Sequence, residues 1–263
     1  PSIVGGEVAA PGAWPWQAAL WNNAANDWDG CGGSLIAVDW VLTAAHCFFN
    51  DQNVQDTFAA DVNIVAGTVD LSGGGGQTIG VTRLVAQDYG QNQTLDIALL
   101  ELAQPVTLGG DVGLIAVNSA AATPATGTTT TITGWGATSA DGNNPSDQLL
   151  KVQLPVVVCD QGDDPALFVC AGGVQDLDSC QGDSGGPLVV QVFEPSRGVR
   201  EQRLVGDTSF GLGCALPGFP GLTASEMVAA AFRGELDAFW IVGGNFLETL
   251  LDPPAVAAAL RRV

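Results

Sequence analysis

The chain's only histidine, His46, lies far ahead of the glycine-flanked serine in Gly182-Asp183-Ser184-Gly185-Gly186-Pro187, and that order decides which folds can use the two together. A serine between glycines turns sharply and sits beside free amide N–H groups, the arrangement that builds a nucleophile and an oxyanion site in one place. The α/β-hydrolase elbow presents its serine in this way too, but there the histidine follows the serine. No histidine follows Ser184. Between His46 and Ser184 lies Asp96-Ile97-Ala98-Leu99-Leu100, where one carboxylate interrupts an otherwise apolar strand. The candidate order is therefore His46, Asp96, Ser184. The order aspartate, histidine, serine could recruit only Asp27, Asp29 or Asp39, none in a comparable strand context, and it stays open as an alternative.

Thirty-five glycines and fourteen prolines punctuate the 263 residues, and 46% of the residues are hydrophobic, so the chain can bury a large core without long helices. Its short, β-branched runs bounded by Gly, Asn and Thr predict an all-β fold. Strands are expected at 62–65, 78–81, 97–102, 129–133, 151–158 and 187–193. Apolar residues at helical spacing over 229–241 predict one helix near the C-terminus, broken by Gly243-Gly244, and residues 255–262 a second, short one. A formal charge of −20 with a single lysine, Lys151, excludes a polyanion-binding role, so no nucleic-acid partner is expected. Six cysteines without zinc-like spacing point to disulfides and an oxidising compartment, free buried thiols being the alternative. With no membrane-spanning or signal-like stretch, a secreted protein, extracellular or periplasmic, is the expectation.

Further motifs occur in a fixed order around these: Ile3-Val4-Gly5-Gly6, Cys31-Gly32-Gly33-Ser34-Leu35, Thr43-Ala44-Ala45-His46-Cys47, Gly134-Trp135-Gly136, Phe168-Val169-Cys170-Ala171-Gly172, and Thr208-Ser209-Phe210-Gly211 before Gly213-Cys214. In these the chain resembles the chymotrypsin/trypsin family of serine endopeptidases, from Ile3 to about Trp240. The resemblance implies two Greek-key, six-stranded β-barrels with the active site in the cleft between them, plus a C-terminal helix. Residues 1–115 would carry His46 and Asp96, residues 116–228 Ser184 and the specificity pocket, and residues 229–263 the helix and an added tail.

The same resemblance implies roles for single residues. Ser184 is the nucleophile, His46 the base, Asp96 its orienting acid and Ser209 a hydroxyl buttress to Asp96. The N–H groups of Gly182 and Ser184 form the oxyanion hole. Asp178 is the floor of a pocket for Arg or Lys, next to Ser179, with Phe210, Gly211 and Gly221 as walls; using Asp176 instead would break the cysteine alignment. Phe210 stands where many relatives have tryptophan, and no tyrosine follows Gly221, so the back of the pocket differs in shape. The implied disulfides are Cys31–Cys47, Cys159–Cys170 and Cys180–Cys214. A new terminal amine at Ile3 would pair with Asp183. Pro1-Ser2 ahead of it suggests a precursor or leftover propeptide residues, and Ser2, not being basic, would need an activator of other specificity.

Residues 71–77 replace an acidic loop that holds calcium in some relatives, so no metal is expected there, and no cofactor elsewhere. Arg197, Arg200 and Arg203 are expected in one loop, open to self-cleavage. The expected partners are protein and peptide substrates and protein protease inhibitors, the expected state a monomer. A catalytically silent relative acting as a binding protein, and a protease of apolar specificity, are the competing readings.

Overall fold

The computed structural model describes residues 3–86, 89–90, 95–118, 124–139, 144–159, 167–174, 176–195 and 197–210. The expected helices over 229–241 and 255–262, and Gly211, Cys214 and Gly221, lie outside the described residues. Among the described residues the fold is β-sheet with two short 3-10 turns. Twelve strands run in chain order: β1 (Glu7–Val8), β2 (Gln17–Asn22), β3 (Asp27–Ala37), β4 (Trp40–Thr43), β5 (Val62–Ala66), β6 (Gln77–Val85), β7 (Ala98–Leu102), β8 (Ala116–Val117), β9 (Thr129–Gly134), β10 (Leu150–Pro155), β11 (Pro187–Glu194) and β12 (Val199–Asp207).

Strands β2 to β7 close into a barrel in the order β2-β3-β4-β7-β6-β5. Consecutive hairpins build β2-β3-β4 and β5-β6-β7, while β4 pairs with β7 and β5 returns to β2, which is a Greek-key path. Alternation on β7, where Ala98, Leu100 and Leu102 are buried and Leu99 and Glu101 are not, places one face in the barrel. Leu20, Leu35, Val41, Phe48, Ile64 and Leu100 fill that core and are fully buried. The remaining strands form a six-stranded sheet ordered β1-β10-β9-β11-β12-β8, antiparallel except for β12 with β8. Ile132, Leu150, Val152, Leu154 and Leu188 make its inner face, and Ile3 is fully buried among them. Burying such a side chain stabilises by roughly 2 kcal/mol, so the segment ahead of β1 is anchored in this core rather than in the barrel.

Several strand expectations need correction. Strand β7 begins at Ala98, and Ile97 is exposed, because the chain before the strand is held by Asp96 on His46 instead of by the ladder. Strand β10 ends at Pro155, and Val158 lies exposed beyond it. The three arginines do not share a loop: Arg197 is in the turn after β11, but Arg200 and Arg203 lie on β12, paired with Phe193 and Val190 of β11. A polar strand escapes a reading based on apolar runs when its neighbour supplies the ladder. Here Glu201 pairs with Arg197 of the turn and with Arg203 on its own strand.

Candidate active site

Register decides where His46 and Asp96 meet. Thr43, the last residue of β4, faces Ala98, the first of β7. The chain continues from Thr43 into a 3-10 turn, Ala45–Phe48, carrying His46, while Asp96 stands two residues before Ala98. Both therefore leave the barrel from the same end of one strand pair. Asp96 Oδ1 accepts the His46 backbone N–H at 2.8 Å, and Oδ2 lies 2.8 Å from His46 Nδ1. Ser209 donates its hydroxyl to the same Oδ2.

Burial by itself would push the Asp96 carboxyl up, but its bonds to the His46 side chain and backbone, the His46 charge and the Ser209 hydroxyl outweigh that and hold it below the usual range. An ionised carboxylate only accepts, so the proton between the two side chains sits on His46 Nδ1. The side chain of Asp96 is 6% exposed and that of His46 29%. The carboxylate is thus sealed in while the imidazole keeps an open edge.

Ser184 is tied to the same end of the barrel. Its carbonyl accepts from Gly32 N at 2.7 Å. Cys31, beside Gly32, is disulfide-bonded to Cys47, beside His46. The two ends of that link therefore hold serine and histidine to one anchor. A Cβ on Gly185 would lie 2.1 Å from Thr43 Oγ1 and 2.9 Å from Ala44 N, so only glycine lets the turn press against the foot of the His46 segment. Gly185 N bonds to Thr208 O at 2.7 Å and Thr208 N to Gly186 O at 2.8 Å, which sets Ser209 on Asp96.

In the turn itself, the N–H groups of Asp183, Gly185 and Gly186 are bonded to Cys180, Thr208 and Asp183 carbonyls. Those of Gly182 and Ser184 have no acceptor among the described residues. Gly182 has φ +97°, a backbone that side chains rarely adopt, and this turn frees its amide together with that of Ser184. Among the described residues the two amides on either side of Asp183 N are thus left without an acceptor.

Asp183 points the other way, into the protein. It is fully buried; Oδ1 accepts Gly136 N at 2.9 Å and Oδ2 accepts Cys180 N at 2.8 Å. Burial, outweighing these two bonds, pushes its carboxyl up to about 7, and Asp178 adds to the push. No cationic group pairs with it among the described residues. Cβ atoms on Gly134 and Gly136 would lie 2.2 and 2.6 Å from this carboxyl group, so the two glycines around Trp135 are the cradle of Asp183. That role was hidden in the sequence, where the motif gave a likeness and no reason.

Asp178 is half-buried; burial raises its carboxyl above the usual range, against one bond from Ser179 N at 2.9 Å. Its own N–H bonds to Val4 O at 3.1 Å, so the segment around Ile3 and this loop are linked. Phe210 is exposed and meets Phe168 edge-on at 5.3 Å. The other pocket-wall positions, Gly211 and Gly221, are outside the described residues. Cys159 is bonded to Cys170. Cys180 is also disulfide-bonded, but Cys214, its expected partner, is outside the described residues.

Two site neighbours had no signal in the sequence. Trp28 lays its ring where a Gly182 side chain would be, its Nε1–H bonded to Cys31 O at 2.8 Å. Asp207, at the end of β12, sits behind the Thr208-Ser209 segment that reaches Asp96. The group Cys31, His46 and Cys47 has the closeness of a metal site, but its two sulfurs are joined to each other and offer no thiolate.

The trypsin family model matches residues 3–230. Serine protease 56 of Homo sapiens is 36% identical over 230 residues, covering 84% of this chain and 36% of the relative. The Mus musculus protein of that name is 37% identical over 234 residues, covering 84% and 36%. The chain thus spans little more than a third of the length of these relatives. With its Greek-key barrel and second sheet, the chain belongs to the trypsin family of serine proteases.

Proposed function

We propose that this chain is a secreted serine endopeptidase that cleaves after Arg or Lys, using Ser184, His46 and Asp96 and passing through an acyl-enzyme. The observation that carries the reading is the double acceptance of His46 by Asp96, with Ser209 behind the same oxygen. That arrangement leaves Nε2 free to take a proton. Ser184 Oγ attacks the carbonyl carbon as its proton passes to Nε2, and the oxyanion accepts from Gly182 and Ser184 N–H. Collapse breaks the C–N bond, and the His46 proton leaves with the amine. Water then repeats the sequence on the ester and restores Ser184. Asp96 stays ionised throughout and stabilises the imidazolium.

Asp178 supports the basic specificity: a half-buried carboxylate gains most from a cationic partner, which offsets the burial that raises it. Asp183, buried and without a cationic partner among the described residues, supports activation at Ile3 in the same way. A terminal amine there would supply the missing cation in a core where the Ile3 side chain is already fully buried. Disulfides at Cys31–Cys47 and Cys159–Cys170 fit an oxidising compartment. Protein substrates and protein inhibitors are the partners this site would take, with the chain acting as a monomer.

The test compares arginyl, lysyl, phenylalanyl and leucyl esters, using protein with Ile3 as terminus, protein with residues ahead of Ile3, and Ser184→Ala. Arginine-selective turnover that needs both Ser184 and a free Ile3 is expected. Selectivity for the apolar esters would overturn the Asp178 assignment, and no turnover by any form would make the chain a silent relative.

A further inference from the structure

Gly182 carries one of the two amides of the serine turn left without an acceptor among the described residues, and a tryptophan from the barrel lies against it. Strand β3 reaches that spot through a bulge. Ala19 of β2 faces Gly32 and Trp21 faces Trp28, so β2 advances by two residues where β3 advances by four. Gly30, with φ +79°, sits in the extra length, and a bulge of this kind re-aims the side chains beside it. Trp28 is half-buried: its ring packs against the cluster that contains fully buried Trp135, and its Nε1–H is bonded to Cys31 O at 2.8 Å. A Cβ on Gly182 would lie 2.6 Å from Trp28 Cη2 and 3.0 Å from Gly136 Cα. The ring and the Gly136 backbone therefore close one side of the Gly182 α-carbon together, in direct contact with it.

The peptide ahead of that carbon is held from its other end, where Gln181 O accepts Ala137 N at 2.7 Å. In a trans peptide the carbonyl and the N–H point in opposite directions. That bond thus turns the Gly182 N–H away from Ala137. Glycine itself offers little resistance to a rotation of the plane, since φ of either sign is open to it. Such a rotation would leave a carbonyl where the amide had been, and one hydrogen bond is a modest restraint against it. We propose that Trp28 is a positioning residue for the oxyanion donor: its ring, anchored on Cys31 O, keeps the Gly182 α-carbon in place and so keeps the Gly182 N–H aimed as it is. The proposal rests on the reading of Gly182 and Ser184 as the oxyanion hole. Its effect belongs to the transition state, because the substrate oxygen gains its charge only there. The same anchor runs to the base: Cys31 is disulfide-bonded to Cys47, next to His46, so ring, donor and imidazole share one point of attachment.

The experiment compares wild type, Trp28→Phe and Trp28→Leu. Three-bond NMR couplings from the Gly182 amide proton to its two α-protons report φ, and they are readable whether or not the protein turns over substrate. The wild type is expected to show the couplings of φ near +97°, Trp28→Leu averaged couplings, and Trp28→Phe values between the two. In parallel, on whichever of the four esters the wild type hydrolyses fastest, kcat should fall on the order of tenfold in Trp28→Leu with KM unchanged. That is a part of the roughly 10²–10³-fold that loss of a whole oxyanion donor costs. Trp28→Phe, which keeps a ring without the Nε1–H, should recover most of the loss. Averaged couplings in the wild type overturn the proposal by themselves, whether or not the variants fold. So do couplings unchanged in Trp28→Leu, and a loss of activity carried by KM, which would make Trp28 a contact of the substrate instead. Couplings that shift on replacing Trp28 while turnover is absent, or stays the same, would refute Gly182 as oxyanion donor and leave the hold of Trp28 on Gly182 standing.

Discussion

Asp183→Asn, in protein that carries residues ahead of Ile3, isolates the energy stored in one buried carboxyl. The Asp183 carboxyl is pushed from 3.8 up to about 7 because the folded chain buries it with two amide donors and, among the described residues, no cation. Each pH unit of difference between folded and unfolded proton affinity corresponds to about 1.4 kcal/mol. The folded state binds the extra proton, so stability falls as pH rises: the penalty is absent below about pH 4 and complete above about pH 7. Over that window it amounts to roughly 4 kcal/mol, a large part of the stability of an ordinary domain. Asparagine does not ionise, and its single carbonyl leaves one of the two amides unsatisfied, a fixed offset at every pH. The assay is urea unfolding followed by tryptophan fluorescence at pH 4, 5, 6, 7 and 8 for both proteins. The stability of the variant relative to the wild type should climb by roughly 4 kcal/mol between the ends. The proposed pairing of a terminal ammonium at Ile3 with Asp183 predicts that the climb vanishes in protein beginning at Ile3. A difference that stays flat with pH in the extended protein would refute the view that Asp183 is held unpaired.

Three further outcomes follow from the same geometry. Asp96→Asn should lower turnover by about 10⁴-fold with the fold intact, the size that change has in a well-studied member of this family; a loss below tenfold in single-turnover kinetics would remove Asp96 as the orienting acid. Gly136→Ala places a methyl 2.6 Å from the Asp183 carboxyl carbon, so it should abolish activity and lower the melting temperature, whereas Gly198→Ala, with open space around its Cβ, should show only the few tenths to about 1 kcal/mol of a strained φ. Replacing Cys31 and Cys47 together by alanine opens a loop with a sequence separation of 16 and should cost roughly 3 kcal/mol in urea unfolding. Activity should fall further than stability there, since the same bond ties the His46 turn to the strand that holds Ser184.

The ionisable inventory and its order were legible in the chain alone. One histidine, one glycine-flanked serine after it and an aspartate heading an apolar run leave few ways to assemble a base, an acid and a nucleophile. The barrel strands β5 and β7 and the first half of β6 were legible for the same kind of reason, since each is a short run of β-branched or aliphatic residues, alternately buried on β7 and over Ile79–Val81. Strand β12 was not: its charged residues are held by pairing with β11, an energy that resides in a neighbour distant in sequence. Nor was the role of Gly134 and Gly136, whose missing side chains make sense only once the carboxyl of Asp183 fills the space. Residue types set which chemistry was available. Register and long-range packing decided which carboxylate was ionised on His46 and which was sealed at Asp183, because proton affinity depends on burial and neighbours that only the folded chain brings together.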